Sequence, residues 1–373
     1  MPVAADLRLL LFNLAVDETH PALGFASAWI TALAERVAHV EVITMLEGPA
    51  DLPDNVVVRS VGKERGWGEA RRTVEFYRHL RAASAGGVDV CFSHMMPLFT
   101  VMGGPLLRMR GVPIVTWFAH PKLTRQLKLA HRLSDRMVTS VAEAYPYRRD
   151  KLIVVGQGID ITRFAPAPER VADPPLVLYT GRLSPAKGVH TLLGAVRGAI
   201  DGGAPPFRVA VVGGPGVSSD EAYVDRLRAQ RTDLGLDDVV NFHDPVPFAE
   251  LPAWYQQASV FVNLTPTGFG DKVALEAMAS AVPCLTSNDG YRETVGDHAE
   301  RLLYPAGDEV ALGDRLGGLL RMTTAERAAI GADLRAKVTE LHNIEVLADR
   351  LVELFADLRS ERRRGRRSAR RAS

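Results

Sequence analysis

Cysteine is nearly absent: Cys91 and Cys284 are the only two in 373 residues, each inside an apolar, strand-like run. Two such residues build no disulfide framework, and the count fits a reducing compartment. Long hydrophobic runs are missing as well. The longest weakly polar stretch, residues 95–107, is broken by two prolines and two glycines and is too short to span a bilayer. Residues 1–11 lack the basic, apolar, small-residue order of an export signal, so a soluble, cytoplasmic protein is expected. Net charge is also small, at +1. That balance conceals an asymmetry, because from Arg359 onward eight arginines face Glu361 alone, leaving the tail at +7 and the body at −6. A uniformly basic coat for nucleic acid is excluded, and no specific nucleic-acid partner is expected. Lysine is scarce, 7 against 38 arginines, which makes each lysine in a motif more informative. What is present, 47% hydrophobic and 24% charged residues, is ordinary for a globular chain of about two domains.

Strand-like and helix-like patterns alternate along the chain. Arg8-Leu-Leu-Leu-Phe12 is followed by a helical spacing of apolar residues over 26–37. Further β-branched runs lie at 40–44, 56–60, 88–92, 114–118, 137–139 and 151–155. Prolines at 166, 168, 174 and 175 mark a linker, after which strands recur at 176–180, 207–212, 239–242, 260–263 and 283–286. Near-continuous apolar strands alternating with helices predict two doubly wound α/β domains with parallel sheets. The expected boundaries are 1–165 and 166–343. A helix over 344–358 then packs back toward the N-terminal domain, and a basic, disordered tail covers 359–373.

Two segments carry chemistry. Gly181-Arg-Leu-Ser-Pro-Ala-Lys-Gly188 follows a strand and opens a helix, placing Arg182 and Lys187 where backbone N–H groups and the helix dipole favour anions. An arginine fork and a lysine point charge suit a diphosphate. The second segment, Gly268-Phe-Gly-Asp-Lys-Val-Ala-Leu-Glu276, offers Gly270 for close backbone approach and a second helix N-terminus, with Glu276 one turn in. A carboxylate there can accept both hydroxyls of a ribose, although an ordinary surface glutamate has the same spacing. No Asp-x-Asp triplet occurs and histidines do not cluster, so no metal or other cofactor is expected.

Together these segments resemble the retaining glycosyltransferases of family four, which have the GT-B fold: two tandem doubly wound Rossmann-like domains facing a cleft. The resemblance extends to Gly156-Gln-Gly-Ile-Asp160, Glu250-Leu-Pro-Ala-Trp-Tyr255, Leu275-Glu-Ala-Met-Ala279 and Gly307-Asp308. It implies that Arg182 and Lys187 grip the donor diphosphate, Glu276 binds the ribose, and the backbone around Val246 passes the nucleobase. It also implies that Gly24, in the turn after the first strand, approaches the phosphates and that His120 sits near the reacting sugar. His20 and His94 are acceptor-side candidates, with a satisfied core or rim histidine as the other reading of His94. The family's first glutamate falls at Gly268 here, and Asp271 and Lys272 are the available substitutes, as donor contacts or as caps of the following helix.

The implied activity is retaining, metal-independent transfer of a sugar, a hexose foremost, from a nucleotide-diphospho-sugar to an acceptor hydroxyl on a small molecule or a lipid-linked saccharide. The alternatives are a nucleotide-sugar epimerase or phosphorylase of the same fold, or an inactive homologue that binds nucleotide-sugar. Residues 121–133 read as a helix with a basic stripe of Lys122, Arg125 and Arg132. That stripe and the arginine tail raise peripheral contact with an anionic membrane at its inner face, beside the plainer reading of a solvated helix face.

Overall fold

A computed structural model describes residues 6–20, 23–167, 173–216 and 220–372, with side chains as far as residue 364. The chain divides into two units, the first made of residues 6–158 and 344–372 and the second of residues 159–343. The boundary thus falls between Gly158 and Ile159, ahead of the proline-rich stretch expected to form it. Of that stretch, residue 168 lies outside the described residues.

Seven parallel strands form the sheet of the first unit: β1 (Arg8–Val16), β2 (His39–Glu47), β3 (Val56–Ser60), β4 (Val90–His94), β5 (Ile114–Trp117), β6 (Arg136–Thr139) and β7 (Leu152–Val154). Their order is β3-β2-β1-β4-β5-β6-β7, so the direction of winding reverses between β1 and β4. β1 and β4 are buried almost throughout, as parallel strands covered on both faces must be. Phe12, Phe76 and Phe99 anchor one layer of the core, with rings 4.6–5.8 Å apart.

The second unit has five parallel strands: β8 (Leu176–Thr180), β9 (Arg208–Val212), β10 (Val240–His243), β11 (Val260–Asn263) and β12 (Cys284–Thr286). Their order, β10-β9-β8-β11-β12, reverses between β8 and β11. Ligands of open α/β sheets bind beyond the carboxyl ends of the strands at such a reversal, and both chemical motifs leave the sheet there. All twelve strand runs read from the sequence are present.

The last helix, Ile344–Ala372, belongs to the first unit. Leu347, Leu351, Phe355 and Leu358 recur at helical spacing and are buried, with Phe355 packing on Phe92 at 5.5 Å. Arg36 clasps the same helix through Glu345 at 2.7 Å and Asp349 at 2.6 Å. The tail expected to be disordered from 359 continues this helix instead. Carboxylates of the first unit receive its arginines: Arg359 pairs with Asp6 at 2.8 Å and Arg362 with Asp135 at 2.6 Å, while Arg363 reaches Asp89. No proline interrupts this run, so nothing stops the helix at 358. Side chains from residue 365 on, with Arg366, Arg367, Arg370 and Arg371, lie outside the described residues.

The basic-stripe helix is shorter than expected, Arg125–Leu133, capped by Thr124. Lys122 precedes it, and Leu123 is exposed. Among the described residues, no helix is long and apolar enough to cross a membrane.

Candidate functional site

At the β8–β11 reversal the two motifs meet. The turn after β8 lies against the loop after β9: Leu183 N–H donates to Gly214 O at 2.7 Å, and Gly181 N–H to Val212 O at 3.0 Å. Gly213, at φ 150°, would place a Cβ 1.9 Å from the Gly181 carbonyl oxygen, so the two loops approach this closely only through glycine. Tyr179 adds a pin, its hydroxyl donating to Arg182 O at 3.1 Å, and the Arg182 side chain remains exposed. A short 3-10 turn (Pro185–Lys187) ends at Gly188 in the left-handed conformation, φ 62°, which directs the chain into the helix Val189–Asp201.

That turn aims Lys187 at the loop after β11. Its Nζ donates to Asp271 Oδ2 at 2.7 Å and to Thr265 Oγ1 at 3.0 Å. Thr265 Oγ1 and Asn263 Nδ2 donate to the same Asp271 oxygen, the latter at 3.2 Å. Burial pushes the Asp271 carboxyl up, but the Lys187 ammonium and these hydrogen bonds outweigh it and hold it below the usual carboxylate range. Asp271 occupies the N-cap position of the helix Lys272–Ala279, yet its side chain makes no capping bond. The capping alternative for Asp271 is therefore wrong: the carboxylate is taken by Lys187.

Glu276 lies one turn into that helix and is only 3% exposed, which corrects the surface-glutamate reading. Its Oε2 accepts from Tyr255 OH at 3.0 Å, and that hydroxyl also meets Thr180 Oγ1 at 3.0 Å. Burial pushes the Glu276 carboxyl up, against the pull of the Tyr255 hydroxyl and the Lys272 ammonium. The same burial pushes half-buried Lys272 well below the usual lysine range. Val246 is half-buried in the loop after β10, and Gly270 is half-buried directly before Asp271.

Within the first unit, the β1–β4 reversal gathers other candidates. His94 ends β4 and is buried, its Nδ1 3.2 Å from Asn13 Oδ1 and its ring 4.6 Å from Trp29 and 6.0 Å from Trp117. This buried, aromatic surround fits the satisfied-core reading of His94. Met95, next in sequence, has φ 54°, a strained conformation for a side-chain-bearing residue. Gly24 opens the helix Phe25–Ala34, and a Cβ there would meet Glu18 O at 2.8 Å. The turn's own backbone therefore already requires glycine. His20 Nδ1 accepts from Leu23 N–H at 3.2 Å, and half-buried His120 accepts from Lys122 N–H at 3.1 Å.

Sequence reading missed the residues that hold the β11 loop in place. Tyr291 OH donates to Asp271 O, Asn288 Nδ2 to Phe269 O at 2.8 Å, and Tyr304 OH to Asn263 O at 2.8 Å. It also missed Gly213 and Gly214, although a Gly-Gly-Pro-Gly run directly after a strand was the available signal.

Residues 174–322 match the model of a family described as "Glycosyl transferases group 1". A D-inositol 3-phosphate glycosyltransferase of Frankia alni is 34% identical over 225 residues, 54% of this chain and 54% of that protein. A putative colanic acid biosynthesis glycosyltransferase of Escherichia coli, WcaL, is 32% identical over 219 residues, 56% of this chain and 52% of its own length. The chain thus spans about half the length of the curated relatives it matches. Among solved structures, sucrose-phosphate synthase of Thermosynechococcus elongatus aligns with a TM-score of 0.74 at 21% identity, covering 95% of this chain and all of the other. Anabaena HepE, in complex with UDP and glucose, gives 0.72 at 18%, covering 94% and 100%.

Proposed function

We propose that this chain, which has the GT-B fold and carries a glycosyltransferase group 1 domain over residues 174–322, transfers a sugar from a nucleotide-diphospho-sugar to an acceptor hydroxyl. One observation carries the reading: Arg182 and Lys187 stand on a glycine-shaped turn beside the helix N-terminus at Lys272, with a buried carboxylate, Glu276, one turn behind. Cations and backbone N–H groups suit a diphosphate, and a buried acceptor suits ribose hydroxyls. The HepE complex with UDP and glucose supports the same donor class, and the relatives' names support glycosyl transfer.

In this reading Arg182 and Lys187 stabilise the negative charge that develops on the departing diphosphate, without a metal ion. Glu276 orients the nucleoside through its ribose, and the backbone near Val246 borders the base. Attack from the face the diphosphate leaves retains the anomeric configuration, with the donor phosphate accepting the acceptor's proton. His120 hydrogen-bonds the reacting sugar. The acceptor is a small molecule or a lipid-linked saccharide. Arg359, Arg362 and Arg363 are engaged by carboxylates of their own unit, so membrane contact is not assigned to them.

A thermal-shift panel of nucleoside diphosphates and their sugars tests donor binding, because a ligand of the folded state raises the melting temperature. Release of nucleoside diphosphate only when an acceptor mixture is added supports transfer. Epimerised donor without acceptor overturns it, and so does the absence of any shift across the panel.

A further inference from the structure

We infer that Asp271 is the positioning residue for Lys187, acting as a hydrogen-bond acceptor that aims the ammonium at the donor diphosphate. The inference rests on the donor-site reading above. An ammonium has three N–H bonds and rotates freely at the end of a four-carbon stem. Here two of the three are assigned, to Asp271 Oδ2 at 2.7 Å and Thr265 Oγ1 at 3.0 Å, and tetrahedral geometry then sets the direction of the third.

The acceptor is itself held. The same Asp271 oxygen takes Thr265 Oγ1 and Asn263 Nδ2, while the backbone carbonyl of Asp271 takes the buried Tyr291 hydroxyl. Asn263 closes β11, with Thr286 Oγ1 donating to its Oδ1 at 3.0 Å. The lysine is thus referenced to the carboxyl end of β11 through three polar side chains, on a site where the carboxylate does not cap its helix. The charge is secondary: what the arrangement needs at 271 is an acceptor oxygen in that place.

Five proteins test this by isothermal titration with UDP, GDP and ADP, and with the corresponding glucose or mannose sugars: wild type, Asp271→Ala, Asp271→Asn, Lys187→Ala, and Lys187→Ala combined with Asp271→Ala. Losing the hydrogen bond that orders the clamp predicts about tenfold weaker nucleoside diphosphate binding in Asp271→Ala. Asp271→Asn, which keeps an acceptor oxygen, recovers wild-type affinity within about threefold. In the Lys187→Ala background, Asp271→Ala has no further effect. The inference fails if the two losses multiply, or if Asp271→Asn is as weak as Asp271→Ala. It also fails if only the nucleotide-sugars, and not the free diphosphates, lose affinity, since that assigns Asp271 to the sugar. A wild type that binds none of the probes defeats the donor-site reading itself. Should Asp271→Ala not fold, Thr265→Val removes the second partner and predicts about threefold weaker binding, again abolished in the Lys187→Ala background.

Discussion

Replacing Glu276 by Gln separates what the buried carboxylate costs the fold from what it gives the ligand. The side chain is 3% exposed and accepts a hydrogen bond from the Tyr255 hydroxyl at 3.0 Å. Burial raises its pKa above the unfolded value, so the fold favours the protonated form. The stability this contributes is complete below the unfolded carboxylate range and is lost as pH climbs through the folded pKa. Gln mimics the protonated state at every pH. It keeps the bond to Tyr255 and relieves a buried charge worth about 1–2 kcal/mol when ionised. At 2–4 °C per kcal/mol for a unit of this size, the melting temperature at pH 8 should rise by about 2–8 °C, with little change at pH 5. Binding moves the other way. Two ribose hydroxyls lose charge-assisted bonds of about 1.5–3 kcal/mol in sum, so the nucleoside diphosphate Kd should weaken about 10–150-fold at pH 8. Wild-type affinity should strengthen as pH rises through the Glu276 pKa, and the variant should be flat. Differential scanning fluorimetry and titration calorimetry at the two pH values measure both. A variant with unchanged Kd, or with equal melting shifts at pH 5 and pH 8, refutes the assignment of Glu276 as a buried, titrating ribose acceptor.

Gly213→Ala should disrupt the turn carrying Arg182, because its Cβ would lie 1.9 Å from the Gly181 carbonyl oxygen; chemical denaturation should show a loss of more than about 2 kcal/mol, with weakened diphosphate binding. Phe355→Ala removes a fully buried ring from the Phe92 contact and should cost about 3–5 kcal/mol, read as a lower urea midpoint for the first unit. Turnover should persist in excess chelator, measured as nucleoside diphosphate release; a strict requirement for manganese or magnesium contradicts the cationic clamp.

The strands were legible because parallel, doubly covered sheets demand β-branched runs, and runs such as Leu176–Thr180 and Val260–Asn263 have little polar content to confuse the period. Arg182 and Lys187 were legible for a different reason: the local glycine pattern states where a backbone turn meets a helix start. The partners of that turn were not. Tyr255 reads as one more apolar residue of a short helix, Asn263 as a strand end and Thr265 as part of the loop after it, since nothing local says which carboxylate they will meet. The arginine tail misled because composition was read as solvent exposure. Asp6, Asp89 and Asp135 lie far from it in sequence, and only the fold brings them to it.

The last helix makes the first unit a discontinuous domain, with residues 159–343 inserted within it. During synthesis, the face of Phe92 that receives Phe355 is complete long before its cover is made. At 5–20 residues per second the ribosome needs about 10–40 s to pass through the insertion. The second unit, contiguous in sequence, can close its own core in that interval. The first must hold an uncovered apolar surface until its final residues emerge, so its folding is timed by translation, and this is the step at which a nascent-chain chaperone has something to bind.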